Sequence, residues 1–438
     1  MENLYQIFLE STGVTIDSRT ATQGSIFFAI KGENKDGNHF ALAALEAGAA
    51  YAVISESSEE LLSSNYTDRL ILTEDTLTTL QQLAAHHRRQ LGIPFVALTG
   101  TNGKTTTKEL ITAILSKEYN VGSTSGNLNN HLGVPLTILS MKIGYTEIGV
   151  VEMGASAPGE IGTLAAIAAP DVALITNLGK AHLLGFGSFD GVKKTKGELY
   201  DYIADNGGTI VYDHDNPNLV EMLSEREFST EPIPYGIEYQ KTEILPASEE
   251  KPFLTIRLAN GTLISTKLFG DWNTENIIAA IAVGKYFGIT SELAAKAIAE
   301  YTPTNNRSQL TYQNGNTIIA DLYNANPTSM RTVLEYFAAT KFSCKNLILG
   351  DMRELGNVSQ AEHKAILELI ERFDSIAESF FVGPEFRKSS DGIAIKGAQF
   401  FNDSEELQNY LTKETFTGKT FLIKGSRGIK LEGILSAF

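Results

Sequence analysis

Between Phe95 and Lys108 the chain reads Phe-Val-Ala-Leu-Thr-Gly-Thr-Asn-Gly-Lys-Thr-Thr-Thr-Lys, and this stretch restricts the fold more than any other. An apolar, β-branched run ends at Gly100 and Gly103. Lys104 and three threonines then open Glu109 to Leu115, where apolar residues recur at helical spacing. The pattern predicts a strand, a tight loop and a helix. Backbone N–H groups of such a loop point at an anion, the helix N-terminus adds partial positive charge, and a lysine reaches the outer phosphates. Thr105 follows Lys104, where a hydroxyl can meet a magnesium ion. The general phosphate-loop pattern places glycine at position 98, where this chain has Leu98, so the match is partial. A hairpin-like glycine turn competes with it, but Gly-Lys-Thr at a strand-to-helix junction favours binding of a nucleoside triphosphate.

At 438 residues the chain predicts two to three domains. A net charge of -16 argues against a nucleic-acid partner, because no broad basic surface is available to neutralise phosphates. Small anions must then be gripped locally. One cysteine, Cys344, excludes an internal disulfide framework and a cysteine-based zinc site, as suits a reducing compartment. The first residues lack a basic stretch followed by an apolar core, and no apolar run approaches membrane-spanning length. The expectation is a soluble cytoplasmic protein, folded throughout.

Residues 1–82 alternate short apolar segments with polar turns and are read as a small α/β domain. Two polar clusters in it, Asp17-Ser-Arg19 and Lys31 to Gly37, suit a diphosphate or a sugar, or are simply solvated loops. Thr78 to Gln90 is expected to be a helix with His86, His87, Arg88 and Arg89 on a wet face. Residues 83–305 repeat strand then helix, the pattern of a parallel sheet covered on both faces. Ligands in such sheets bind outside the carboxyl ends of strands, which draws attention to Glu152, at the end of Glu147 to Val151, as a magnesium ligand or a helix-capping carboxylate. His182 follows the strand Asp171 to Thr176 and points to the same edge. Lys196 lies on the helical stretch Ser188 to Ala204, where a solvated basic face is the plainer reading. The amide-rich loop Gly126 to Pro135 either orders a polar ligand or is turn chemistry alone. Asn273 and Asn276 share a helix face by their spacing of three. Residues 306–438 form a second α/β unit, with polar loops at strand ends: Asp321 to Pro327, Gly350 to Gly356 and Lys424 to Gly428.

Together these motifs resemble the Mur ligases, the ATP-dependent amide-forming enzymes of bacterial peptidoglycan synthesis. Gly100-Thr-Asn-Gly-Lys-Thr105 is similar to that family's own phosphate loop, which accounts for Leu98. The resemblance spans the whole chain and implies three domains: a small N-terminal α/β domain (1–82), a central P-loop ATPase-like parallel-sheet domain (83–305) and a C-terminal Rossmann-like α/β domain (306–438). It implies an acyl-phosphate ligase acting on ATP, UDP-N-acetylmuramoyl-tripeptide and D-alanyl-D-alanine, as a monomer. Gly100, Thr101, Asn102, Gly103, Lys104, Thr105 and Thr106 would hold the ATP phosphates. Asn273 and Asn276 would stand beside adenine, and Arg307, Asp321, Tyr323, Asn324 and Asn326 would reach the nucleotide from the C-terminal domain. Two magnesium ions are implied, one on Thr105 and Glu152, the other on Glu152, His182 and Lys196, the lysine being carbamylated. The UDP-linked acceptor would meet Ser18, Arg19, Lys31, Asp36, Asn127, Asn129, Asn130 and Ser156. Lys104, Glu152, His182, Lys196 and Arg307 are the implied catalytic set. Trp272 and Asn306 depart from the histidine and glycine of many relatives. The rival readings are an amino-acid-adding Mur ligase, folylpolyglutamate synthetase, and a nucleotide-binding module without catalysis. The threonines after Lys104 oppose the folate enzyme, and the C-terminal third has no Asp-Asn-Pro-Arg.

Overall fold

The computed structural model describes residues 1–180, 183–303 and 307–438. Short strands β1 (Val14–Thr15), β2 (Ile26–Phe28), β3 (Tyr51–Ile54) and β4 (Leu70–Leu72) lie side by side in that order, all parallel. The helix Thr76–Leu91 follows. Asp75 starts it by accepting from Thr78 N at 2.6 Å, and Gly92 ends it in the left-handed region at φ 62°. Position 82, expected to close the first domain, lies inside this helix.

The wet face expected over 86–89 is corrected in part by the structure. His87 and Arg88 are buried, because Leu80, Leu83, Ala84, His87 and Leu91 fall on one helical stripe. Tyr5 Oη donates to His87 Nδ1 at 3.1 Å, and His87 Nε2 donates to Met141 O at 2.9 Å. Arg88 lies over the Phe95 ring, 4.0 Å from its centroid. Its guanidinium donates to Ala168 O at 2.7 Å and Ala169 O at 2.8 Å, closing the C-terminus of the helix Glu160–Ala168. One hydrophobic core therefore runs from Leu4, Phe8 and Val53 to Phe95, Val134 and Leu199.

The central sheet contains β5 (Phe95–Thr99), β6 (Val121–Ser123), β7 (Ile148–Glu152), β8 (Val172–Ile175), β9 (Thr209–Asp213) and β10 (Ile233–Tyr235). Their spatial order is β10-β9-β8-β5-β7-β6, and every pairing is parallel. After β7 the chain crosses over β5 to build outward on the other side. That reversal opens a crevice at the carboxyl ends of β5, β7 and β8, the ordinary place for a ligand in an open α/β sheet. Three antiparallel strands, β11 (Glu243–Leu245), β12 (Thr255–Arg257) and β13 (Leu263–Ser265), then lead to the helix Asn273–Tyr286.

The last sheet contains β14 (Gln309–Gln313), β15 (Asn316–Asp321), β16 (Lys345–Gly350), β17 (Ile376–Val382), β18 (Ala398–Phe401) and β19 (Thr420–Lys424), in the order β14-β15-β19-β16-β17-β18. Only the β14 edge is antiparallel. Asp321 and Lys424 are register partners at the ends of β15 and β19. Phe269, just before the helix Asn273–Tyr286, is buried among Met330, Val333, Leu334 and Phe337 of this last unit. Trp272 stands edge-on to Tyr336 with ring centroids 5.4 Å apart.

Candidate functional site

The helix Lys104–Leu115 begins at Gly103, whose φ of 78° is left-handed. A Cβ at Gly103 would also collide with Asn276 Oδ1, so glycine is required there on two counts. Lys104 Nζ folds back on the loop, donating to Gly100 O at 2.7 Å and Thr101 O at 3.1 Å. Burial holds its pKa below the usual lysine range; Glu152 works against that shift and Arg307 adds to it. Asn177, past the end of β8, fixes the loop from the side by accepting from Asn102 N at 2.9 Å.

Glu152 ends β7 almost wholly buried, and both of its oxygens are engaged. Thr105 Oγ1 donates to Oε2 at 2.7 Å and Asn129 Nδ2 to Oε1 at 2.7 Å. Lys196 faces the same space from the helix Phe189–Asn206, itself buried, with Nζ 5.7 Å from the centroid of the Phe186 ring. Among the described residues its Nζ has no hydrogen bond and no ion pair. Burial, with the charge of Lys104, lowers its pKa to about 7. Glu198, two residues on, accepts from Gly159 N at 2.7 Å and Gly162 N at 2.9 Å, tying this helix to the start of Glu160–Ala168. Glu160 accepts from Ser156 N at 2.6 Å and Ala157 N at 3.1 Å and so orders the loop after β7.

The C-terminal unit supplies the facing wall. Asn326 Nδ2 donates to Asn102 Oδ1 at 2.8 Å, a direct bond onto the phosphate loop. The Arg307 guanidinium lies on the face of Tyr323, 3.5 Å from its centroid. Lys424 Nζ donates to Asp321 Oδ2 at 2.5 Å and Asn324 O at 3.1 Å, fixing the strand-end loop from within. Apart from Glu198, these side chains line one cavity of about 780 Å³, whose wall also includes Trp272, Asn273, Glu275, Ser156 and Phe186. Burial raises the Glu275 carboxyl to about 7, with Asp213 and Asp215 adding to the shift.

Each part of the chain matches a part of one known family. Residues 10–88 match the Mur ligase family catalytic domain, 98–284 the Mur ligase middle domain, and 306–427 the Mur ligase glutamate ligase domain. A Bacillus subtilis protein named UDP-N-acetylmuramoyl-tripeptide--D-alanyl-D-alanine ligase is 38% identical over 434 residues, covering 97% of this chain and 92% of that one. The chain belongs to the Mur ligase family. The crystal structure of MurF from Acinetobacter baumannii is similar with a TM-score of 0.85 at 28% identity, covering 99% of this chain and 97% of the other. The structure of MurF ligase from Thermotoga maritima in complex with ADP gives 0.83 at 28% identity, covering 98% and 97%. The three-domain α/β architecture expected from the sequence is thus the Mur ligase fold.

In this Mur ligase the cavity gathers Gly100 to Thr106, Glu152, Lys196, Asn273, Asn276, Arg307, Asp321, Tyr323, Asn324 and Asn326, with Asn129, Asn130 and Ser156. His182 lies outside the described residues, as does Asn306. Ser18, Arg19, Lys31, Asp36 and Asn127 do not line the cavity. Arg19 is ion-paired with Asp17 at 2.6 Å, Lys31 with Glu56 at 2.9 Å, and Asp36 accepts from Asn38 N at 2.9 Å. Asn127 is exposed on its loop. Asn273 and Asn276 reach the cavity with their amides already engaged. Asn276 Nδ2 donates to Asn273 Oδ1 at 3.0 Å, and Asn276 Oδ1 accepts from Thr107 at 3.0 Å, so the pair braces the phosphate-loop helix. Sequence reasoning assigned no role to Glu160, Asn177, Glu198 or Lys424; the available signal was their position at strand ends or beside Lys196. Among the described residues no helix is long and apolar enough to cross a membrane.

Proposed function

We propose that this Mur ligase joins D-alanyl-D-alanine to UDP-N-acetylmuramoyl-tripeptide at the expense of ATP, as a cytoplasmic monomer. The observation that carries the reading is the single cavity in which the phosphate loop, Glu152 and Lys196 face Arg307, Asp321 and Lys424. A carboxylate does not acylate an amine in water, because its oxygen is a poor leaving group. In the proposed reaction the terminal carboxylate of the tripeptide attacks the γ-phosphorus of ATP, forming an acyl phosphate and expelling ADP. The dipeptide amine then attacks the acyl carbon, an amide forms, phosphate leaves and the amine gives up a proton.

Lys104 is the cation for the phosphates, already enclosed at the loop and able to exchange two carbonyl partners for phosphate oxygens. Arg307 approaches from the opposite wall, held flat on Tyr323. Asn326 binds the C-terminal domain to Asn102 and so joins the two walls of the cavity. The donor set also fits a hard dication, since a hydroxyl and a carboxylate oxygen meet at 2.7 Å beside the phosphate loop. Thr105 and Glu152 would hold one magnesium ion, and Lys196 as a carbamate a second with Glu152 and His182. When bound, the ions neutralise the charge on the phosphate oxygens. With a pKa of about 7, Lys196 is in good part unprotonated near neutrality, the form that adds carbon dioxide. Ser18, Arg19, Lys31, Asp36 and Asn127 are proposed to hold the UDP end of the acceptor, away from the cavity.

The test follows ADP and phosphate separately. ADP should form only when UDP-tripeptide is present, and release of phosphate should need the dipeptide; phosphate release independent of both removes the proposal. Lys196→Ala should lose activity and regain part of it with added short carboxylic acids, whereas a nucleotide-binding module without catalysis has no activity to lose.

A further inference from the structure

Lys108 stands one turn beyond Lys104 on the helix Lys104–Leu115, and the reaction as described leaves it without a task. Its side chain is only 1% exposed, on the stripe that also buries Ile111 and Leu115, where an apolar residue would pack without carrying a charge. An ammonium is unfavourable in such a place unless its donors are met. Nζ donates to Glu109 Oε1 and to Thr124 O, both at 2.5 Å. Glu109 supplies the opposite charge, and the Thr124 carbonyl is what the lysine holds in place.

At Thr124 the chain leaves β6, the last strand in the sheet order. Ser123 is the register partner of Val150, so one step further Thr124 would face Val151, with its carbonyl before Glu152 N. The ladder does not continue that way. Thr124 N still donates to Val150 O at 3.0 Å, but Glu152 N donates to Thr124 Oγ1 at 3.0 Å, and Thr124 O turns to Lys108. A hydroxyl thus stands in for the carbonyl of its own residue. The turned peptide starts the loop that comes back to Glu152: Asn129 Nδ2 donates to Oε1 at 2.7 Å, and Asn129 O accepts from Gly154 N at 2.7 Å. The phosphate-loop helix therefore holds Glu152 by two routes. Thr105 Oγ1 reaches Oε2 directly, while Lys108 acts through Thr124 on the backbone of Glu152 and on the loop that meets Oε1.

We infer that Lys108 is a positioning residue: by drawing Thr124 O out of the β6–β7 ladder it fixes where the Glu152 carboxylate points. The inference rests on the reading above, in which Thr105 and Glu152 hold a magnesium ion. A carboxylate serves a hard cation best when its oxygens are already directed, and groups that orient a metal's ligands set its affinity almost as strongly as the ligands do. Lys108 touches neither nucleotide nor metal in this arrangement. Its effect passes through one carbonyl, one hydroxyl and one backbone N–H.

The test titrates ATP into the full-length enzyme by calorimetry, once with magnesium and once with a chelator in its place; without UDP-tripeptide the nucleotide is not turned over. Wild type should bind ATP more tightly with magnesium. Lys108→Met should remove about 10-fold of that gain and leave magnesium-free binding within about twofold of wild type. Thr124→Val keeps the carbonyl for Lys108 but removes the hydroxyl under Glu152 N, and should lower the gain similarly. Because both act along one route, the two losses should not add in the double variant. A merely structural lysine would weaken ATP binding with and without the metal alike; that result overturns the inference, as does an undiminished gain in Lys108→Met. Thr124→Val decides in the same way if Lys108→Met does not fold. A wild-type enzyme whose ATP binding ignores magnesium overturns the magnesium reading of Glu152 instead.

Discussion

Asn326 divides one side-chain amide between two tasks, and a serine separates them. Its Oδ1 accepts from Ser329 N at 2.8 Å and caps the helix Pro327–Ala339, while its Nδ2 reaches Asn102 Oδ1 at 2.8 Å across the domain seam. Serine caps a helix about as well as asparagine, but its hydroxyl is too short to reach Asn102. Asn326→Ser therefore removes one neutral, part-buried hydrogen bond, worth about 1 kcal/mol, and leaves the helix intact. Asn326→Ala removes the same bond and the cap, costing roughly 1 kcal/mol more of folding stability. If the bond holds the C-terminal domain over the nucleotide, each variant should raise KM for ATP by roughly fivefold, which is what 1 kcal/mol means for an equilibrium. Denaturant unfolding should then separate the variants: Asn326→Ser near wild type, Asn326→Ala less stable. A wild-type KM for ATP in Asn326→Ser would refute the argument, since the helix would then be all that Asn326 supports.

Three further outcomes are expected. His87 is buried neutral between Tyr5 and Met141 O, with burial lowering its pKa from 6.5. Because the unfolded chain binds the proton more readily, this contribution is complete above about pH 6.5 and is lost as pH falls further. Urea unfolding at about pH 7.5 and about pH 5 should show a smaller loss on acidification for His87→Gln than for wild type. Phe269→Ala, which empties a fully buried site packed on the C-terminal unit, should cost about 3–5 kcal/mol, read by calorimetry. The single tryptophan, Trp272, lies on the cavity wall against Tyr336, so its emission should change on adding ATP in wild type but not in a Lys104→Ala variant.

Central strands were legible because parallel strands buried on both faces are nearly continuous apolar runs, as in Phe95–Thr99. Edge strands such as Gln309–Gln313 and Ala398–Phe401 were not named, since their polar residues and short length weaken the pattern. Chemistry at strand ends, including Glu152 and Asp321, was visible because the fold class itself says where ligands bind. Burial was harder to see. His87 and Arg88 looked like a charged cluster along the sequence, and only the helical stripe turns one of them inward and leaves the other to close a neighbouring helix. Lys196 carries no mark of burial in a run of lysines. The Asn102–Asn326 bond joins residues 224 positions apart, and no local spacing encodes it.

The core shared by the first two sheets has a consequence for which acceptors fit. Leu4, Phe8 and Val53 belong to the same packed cluster as Phe95 and Leu199, and the helix Thr76–Leu91 runs unbroken between the two sheets. Close-packed interiors deform little, so the separation between the Asp17–Thr20 turn and Lys196 is set by construction. Under the proposed reading the UDP end and the reacting carboxylate occupy the two ends of that span, which then works as a ruler. An acceptor one residue too short delivers its carboxylate short of the phosphate, and UDP-linked dipeptide should bind without being phosphorylated.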